Sequence, residues 1–136
     1  MKYLINKISI YSTLSVIGFI SIIYLLMSFF LASQVTVSER NPLEENPVDY
    51  LLEYEDVSFS PRSDDTGISL KGWFIPAEVT TDTTIIIVHG LNSNRAAGFM
   101  LPISQKLHQN GFNTLLIDLR GHGESGGDRF NGGYIE

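Results

Sequence analysis

Between Lys7 and Glu39 the chain carries no charged side chain, and Ile8 to Ser33 is an apolar run of 26 residues. As a helix that run would be about 39 Å long, against a hydrocarbon core of about 30 Å. It therefore predicts a transmembrane anchor over 8–33, behind a short tail over 1–7. A secretory signal peptide is the rival reading, but its apolar region is shorter and Leu31-Ala32-Ser33 makes a poor cleavage site. Ser9, Ser12, Thr13, Ser15, Ser21 and Ser28 dilute the run, and their hydroxyls can bond back to helix carbonyls.

Past the run the pattern changes period. Residues 34–50, with Pro42, Glu44, Glu45, Asn46 and Pro47, read as a solvated linker. Tyr54, Val57 and Phe59 then punctuate an acidic stretch, Asp64-Asp65-Thr66-Gly67 supplies turn chemistry, and Ile68 to Ile75 alternates up to Pro76. Together these predict a β-hairpin with Trp73 in the core. Ile85 to Val88, four β-branched residues without polar alternation, predict a strand covered on both faces. Gly90 directly after it permits a sharp turn that aims the Leu91 and Asn92 amides into a crevice at the strand's end. Ser93 or Asn94 is placed to cap a helix whose Phe99, Ile103 and Leu107 share one face, with Pro102 in its first turn and His108 on its solvated side. Gly111 ends that helix and Phe112 to Asp118 forms the next strand, completing a parallel β-α-β crossover. Leu119 to Asp128 has four glycines in ten positions and reads as a tight loop at the same sheet edge. Two loops converge there.

Charge narrows the partners. Lys2 and Lys7 precede the apolar run and Arg40 follows it, which places the amino terminus in the cytoplasm and the remainder outside it, at the cell membrane. All 15 acidic residues lie after the run with seven of the nine Lys and Arg, a net charge of −8 that argues against a nucleic-acid partner. The chain has no cysteine, so disulfides, thiolate metal sites and a cysteine nucleophile are excluded, and His89, His108 and His122 are not spaced as metal ligands. No cofactor motif is evident: Gly121, Gly123 and Gly126 match G-x-G-x-x-G, but no helix pattern follows them.

The strand ending His89-Gly90 and the strand ending Asp118-Leu119-Arg120-Gly121-His122-Gly123-Glu124-Ser125 together resemble the amino-terminal third of an α/β-hydrolase, similar to serine aminopeptidases and monoacylglycerol lipases. The resemblance covers roughly Tyr54 to Asp128. It implies an α/β fold, the amino-terminal part of an α/β-hydrolase sheet (hairpin, then parallel β-α-β) over 51–136; the one transmembrane helix that precedes it is read from the apolar run and lies outside the resemblance. It also implies that the backbone N–H of Leu91 contributes to an oxyanion hole, and that His89, Gly90, Asp118, Arg120, Gly121, His122 and Gly123 are structural loop residues around it. Gly123-Glu124-Ser125-Gly126-Gly127 matches G-x-S-x-G, yet its serine lies seven residues past the strand end, and no histidine follows it up to Glu136. Ser125 is therefore a decoy, and the resemblance assigns no catalytic residue to this chain. The expectation is the amino-terminal piece of a longer hydrolase that acts on a small-molecule or peptide acyl substrate, inactive by itself. Its nucleophile is open between serine and, as in epoxide-hydrolase-like relatives, aspartate. A non-enzymatic membrane-tethered binding module is the alternative.

Overall fold

In the computed structural model, residues 2–37, 40–62 and 67–129 are described, with side chains of the first helix from residue 10 onward. The first unit is a single helix, α1, Lys2–Thr36, of which Ile10–Thr36 is long and apolar enough to cross a membrane, with mean hydropathy 2.4. Its hydroxyls turn inward onto their own backbone: Ser21 Oγ donates to the Ile17 carbonyl at 2.9 Å and Thr36 Oγ1 to that of Ala32 at 2.9 Å. These hydroxyls have their donors met within the helix.

The second unit begins at Val37 and holds a four-stranded sheet. Strands β1 (Glu55–Phe59) and β2 (Leu70–Ile75) pair antiparallel, as the alternation predicts. Within the connecting turn, 63–66 lie outside the described residues, and Gly67 takes a left-handed φ of 107°. Strands β3 (Thr84–Val88) and β4 (Asn113–Asp118) pair parallel, and β4 also pairs antiparallel with β2, giving the order β1-β2-β4-β3. The inner place thus goes to β4 and not to the aliphatic strand. β3 is an edge strand among the described residues.

Register fixes which side chains share a face. Trp73 stands opposite Leu116, and Leu116 opposite Ile87, so these point together into a core with Leu52, Ile75, Ala96, Met100 and Leu101. The opposite face carries Ile86 and Val88, which are 60% and 50% exposed. The expectation that both faces of β3 are covered is corrected: only one is packed among the described residues. A four-residue aliphatic run shows what a strand suits, not what lies over it.

Helix α2 (Met100–Gln109) covers the packed face, and Pro102 falls in its first turn. Its inward residues are Met100, Leu101 and Ser104, whereas Phe99 is 70% exposed and Ile103 is also exposed, so the predicted Phe99/Ile103/Leu107 face is not the buried one. No side chain caps its start; Asn94 instead accepts from the Ala96 N–H at 2.9 Å, folding the turn before the helix. The helix ends as predicted. Gly111 has φ 80°, its N–H reaches the His108 carbonyl at 3.0 Å, and Phe112 N–H reaches that of Leu107 at 3.0 Å. His108 is not on a solvated face: its side chain is 17% exposed and Nδ1 lies 2.6 Å from the Pro76 carbonyl.

Residues 40–50, read from sequence as linker, are bound to this unit. Asn46 and Asp49 cap a short 3-10 helix, Pro47–Tyr50, reciprocally, and Gln105 of α2 donates to the Tyr50 carbonyl at 2.8 Å. The acidic, proline-bearing composition that suggests a spacer here supplies caps and a buried Pro47.

At Gly72 in β2 an added Cβ would stand 2.6 Å from the Leu116 carbonyl oxygen. Gly72→Ala is expected to push β2 from β4 and cost about 1–3 kcal/mol, read as a lower urea midpoint of the chain in detergent micelles. An unchanged midpoint would show that the β2–β4 spacing is not set there.

Candidate functional site

The ends of β3 and β4 bring the two glycine loops together. His89, directly after β3, is buried; its Nε2 accepts the Leu119 N–H of the other loop at 3.1 Å, and its Nδ1 lies 2.7 Å from the Gly90 carbonyl. His122, fully buried in the second loop, returns the arrangement: its Nε2 accepts the Asn92 N–H at 3.2 Å and its Nδ1 lies 3.0 Å from the Arg120 carbonyl. The rings pack 5.0 Å apart. Those partners assign the proton of each imidazole to Nδ1. Burial lowers the pKa of His89 against a weaker opposing pull from the Gly90 carbonyl, with His122 adding to the depression, so His89 stays neutral near pH 7 and remains an acceptor. Each histidine is a cross-brace with both nitrogens engaged. Neither is placed to take a proton from a nucleophile.

This bracing engages the Asn92 amide, one of the two that the sequence aims into the crevice. The Leu91 N–H has no protein acceptor among the described residues. The sharp bend is also displaced by two residues: Gly90 is not left-handed and a Cβ there would meet nothing, whereas Asn92 has φ 53°. Asparagine tolerates that region better than most residues.

Asp118, at the end of β4, is fully buried and is the anchor of both loops. Its carboxylate accepts the Arg95 N–H at 2.7 Å, the Glu124 N–H at 3.0 Å and the Arg95 guanidinium. Arg95 is buried, pairs also with Glu124, and lies 4.3 Å over the Trp73 ring. Sequence reasoning passes over Arg95. The available signal is that it is the single Lys or Arg between Lys71 and Lys106 in a strongly acidic domain, next to a buried strand.

The glycines of the second loop have identifiable reasons. Gly121, Gly123 and Gly127 have φ of 76°, 46° and 87°. A Cβ on Gly123 would collide with the Asp118 carboxylate, and one on Gly127 with Arg120 Cγ. Ser125 is fully buried; its hydroxyl donates to the Asp118 carbonyl at 2.6 Å and accepts the Lys71 N–H at 2.9 Å. It staples the loop to β2. The residues after it, 130–136, lie outside the described ones.

Chemically the site offers an open backbone donor at Leu91 on a doubly braced turn. Among the described residues it holds no nucleophile within reach of a base and no cluster of three metal-ligating side chains. A cleft of about 440 Å³ beside the turn is lined by Asn41, Glu45, Tyr50, Asn92 and Ala97 among others. That polar, acidic lining does not make an acyl slot.

Comparison with known proteins agrees with this geometry. Residues 80–133 match the family described as serine aminopeptidase, S33. The chain is 33% identical over 86 residues to the uncharacterized protein YfhR of Escherichia coli K12, and covers 28% of that relative. Two solved structures of the Pyrococcus furiosus esterase Pf2001 superpose with TM-scores of 0.60 and 0.58 at 34% and 35% identity, over 70% and 68% of this chain and 35% and 34% of theirs. The chain thus spans about a third of the length of the relatives it matches.

Arg95→Met is expected to cost about 3–5 kcal/mol, because it leaves the Asp118 carboxylate buried without its counter-charge. Adding Asp118→Asn should recover part of that loss, as read by urea denaturation of both variants. Equal stability of Arg95→Met and the parent would refute the pairing as the anchor.

The sheet order, the braced turns at its carboxyl edge and the likeness to these proteins identify the fold as the amino-terminal part of an α/β-hydrolase sheet.

Proposed function

We propose that the chain is the amino-terminal part of a membrane-anchored, serine-type hydrolase that cleaves an ester or amide through an acyl-enzyme, and that its contribution to the chemistry is the Leu91 N–H. The observation that carries this reading is that open amide, held on a turn whose next amide is engaged by His122. In acyl transfer the attacked carbonyl oxygen gains negative charge, and a donor fixed beforehand stabilises it without reorganising. A backbone donor places no demand on the side chain, which at Leu91 is half exposed. The nucleophile, acid and base belong to parts of the hydrolase sheet beyond the strands described. Ser125 is excluded by its two hydrogen bonds, so this chain alone is expected to be inactive. The acyl substrate would be a small molecule or peptide, with its pocket built by those further parts.

The anchor reading rests on the length and hydropathy of α1, and the orientation on Lys2 and Lys7 against Arg40. It sets the hydrolase domain outside the cytoplasm.

In the complete product of the locus, Leu91→Pro removes the donor and should lower kcat about 10²- to 10³-fold on a simple ester with little change in KM. A fluorophosphonate probe should label that product and leave the 136-residue chain unlabelled. A complete product that neither labels nor turns over esters would favour the tethered, non-enzymatic module. For orientation, the cysteine-free chain allows a single Ser60→Cys reporter, which a membrane-impermeant maleimide should modify in cells with an intact cell membrane; protection of that cysteine would reverse the topology.

A further inference from the structure

Three residues upstream of the sheet touch both glycine loops at once. Arg40 donates from Nη1 to the carbonyls of Ser125 at 2.7 Å and Gly123 at 3.2 Å, and from Nη2 to that of Gly127 at 2.6 Å. Asn41 Nδ2 donates to the Asn92 carbonyl at 2.8 Å, and Asn94 Nδ2 returns to the carbonyls of Asn41 at 3.2 Å and Pro42 at 3.0 Å. The left-handed Gly123 and Gly127 turn their carbonyls to the same side as that of Ser125, so three oxygens gather within reach of one guanidinium. A guanidinium, planar and carrying five N–H groups, can bind them together in a way no neutral side chain can.

We propose that Arg40, Asn41 and Pro42 form a strap that fixes the Leu91–Asn94 turn relative to the 121–127 loop, with Arg40 as a positioning residue for the oxyanion donor. The strap lies outside the stretch that matches the hydrolase family, which begins at residue 80. Because Arg40 is exposed, water can take over the three carbonyls when it is removed, so the sheet keeps its stability while the loop loses its fixed geometry. The role in positioning rests on the reading of Leu91 given above; the strap itself is tested without turnover.

The measurement is hydrogen exchange by mass spectrometry on the full 136-residue chain in lipid nanodiscs. The reporters are amides that the loops protect: Asn92 N–H on His122, Glu124 N–H on Asp118, Gly121 N–H on the Gly126 carbonyl and Gly126 N–H on that of Ser69. Arg40→Ala should speed exchange in peptides covering 91–94 and 121–126 about tenfold and leave peptides of β2 and β4 at their parent rate. Arg40→Lys, a compact cation on a similar stem, should restore part of the protection, and Asn41→Ala should loosen 91–94 more than 121–126. Parent-like loop exchange in the Arg40→Ala/Asn41→Ala double variant would overturn the strap. So would a uniform rise through β2 and β4, which would make Arg40 a staple of the whole domain. If Leu91→Pro left turnover of the complete product intact while the loop amides still responded to Arg40, the catalytic reading would fail and the strap would stand.

Discussion

The Asp118 carboxylate is the point on which both loops of the site depend. It sits fully buried at the end of β4, one of the two inner strands, and it accepts from the backbone of each loop as well as from the Arg95 guanidinium. A carboxylate taken from water needs such compensation, because its desolvation costs several kcal/mol before any partner is counted. Here the compensation comes from elements far apart in sequence, so meeting the charge also closes the structure. The turn before α2 is drawn in by the Arg95 N–H, and the glycine loop is drawn in by the Glu124 N–H. Gly123 has no side chain because the carboxylate occupies that space.

Around this anchor the histidines perform a mechanical task. Each imidazole accepts an amide from the opposite loop, which requires a neutral ring, and burial keeps His89 in that state. The two residue types most often suspected of catalysis, histidine and serine, are thus consumed as scaffolding in this part of the fold. Under the function proposed above, what remains for chemistry is the Leu91 backbone N–H, whose turn they brace. Such a division is economical: a donor that belongs to the main chain stays in place through mutation of its own side chain, provided that the braces hold.

The strand periodicities were legible because they depend on local sequence alone, and β1, β2, β3 and β4 fall where alternation and aliphatic runs predict them. The Gly111 helix end and the Pro102 first turn were legible for the same reason. Burial was not, because it depends on what covers a face. Ile86 and Val88 look like core residues and are exposed, while Phe99 and Ile103 repeat with helical spacing and yield the inward face to Met100, Leu101 and Ser104. Residues 40–50 look like a spacer by composition, but composition does not reveal that Asn46 and Asp49 cap each other or that Arg40 finds three carbonyls over 80 residues away. Arg95 was missed since its meaning lies in Asp118 and Glu124, partners that no spacing rule connects to it. Long-range pairing of charges is the least local information in the chain.

The similarity to serine aminopeptidases begins at residue 80, whereas the compact unit begins at Val37. The two boundaries differ in physical content: one marks where the family pattern begins, although the 86 residues aligned with the Escherichia coli relative reach further upstream, and the other marks where the compact unit begins. A soluble version of the domain trimmed where the family pattern begins would discard β1, β2 and the Trp73 ring on which Arg95 rests. One trimmed just before β1 would keep the sheet but discard Arg40 and Asn41, exposing a cup of three carbonyl oxygens to solvent. A cut that keeps these loop contacts must therefore fall upstream of Arg40.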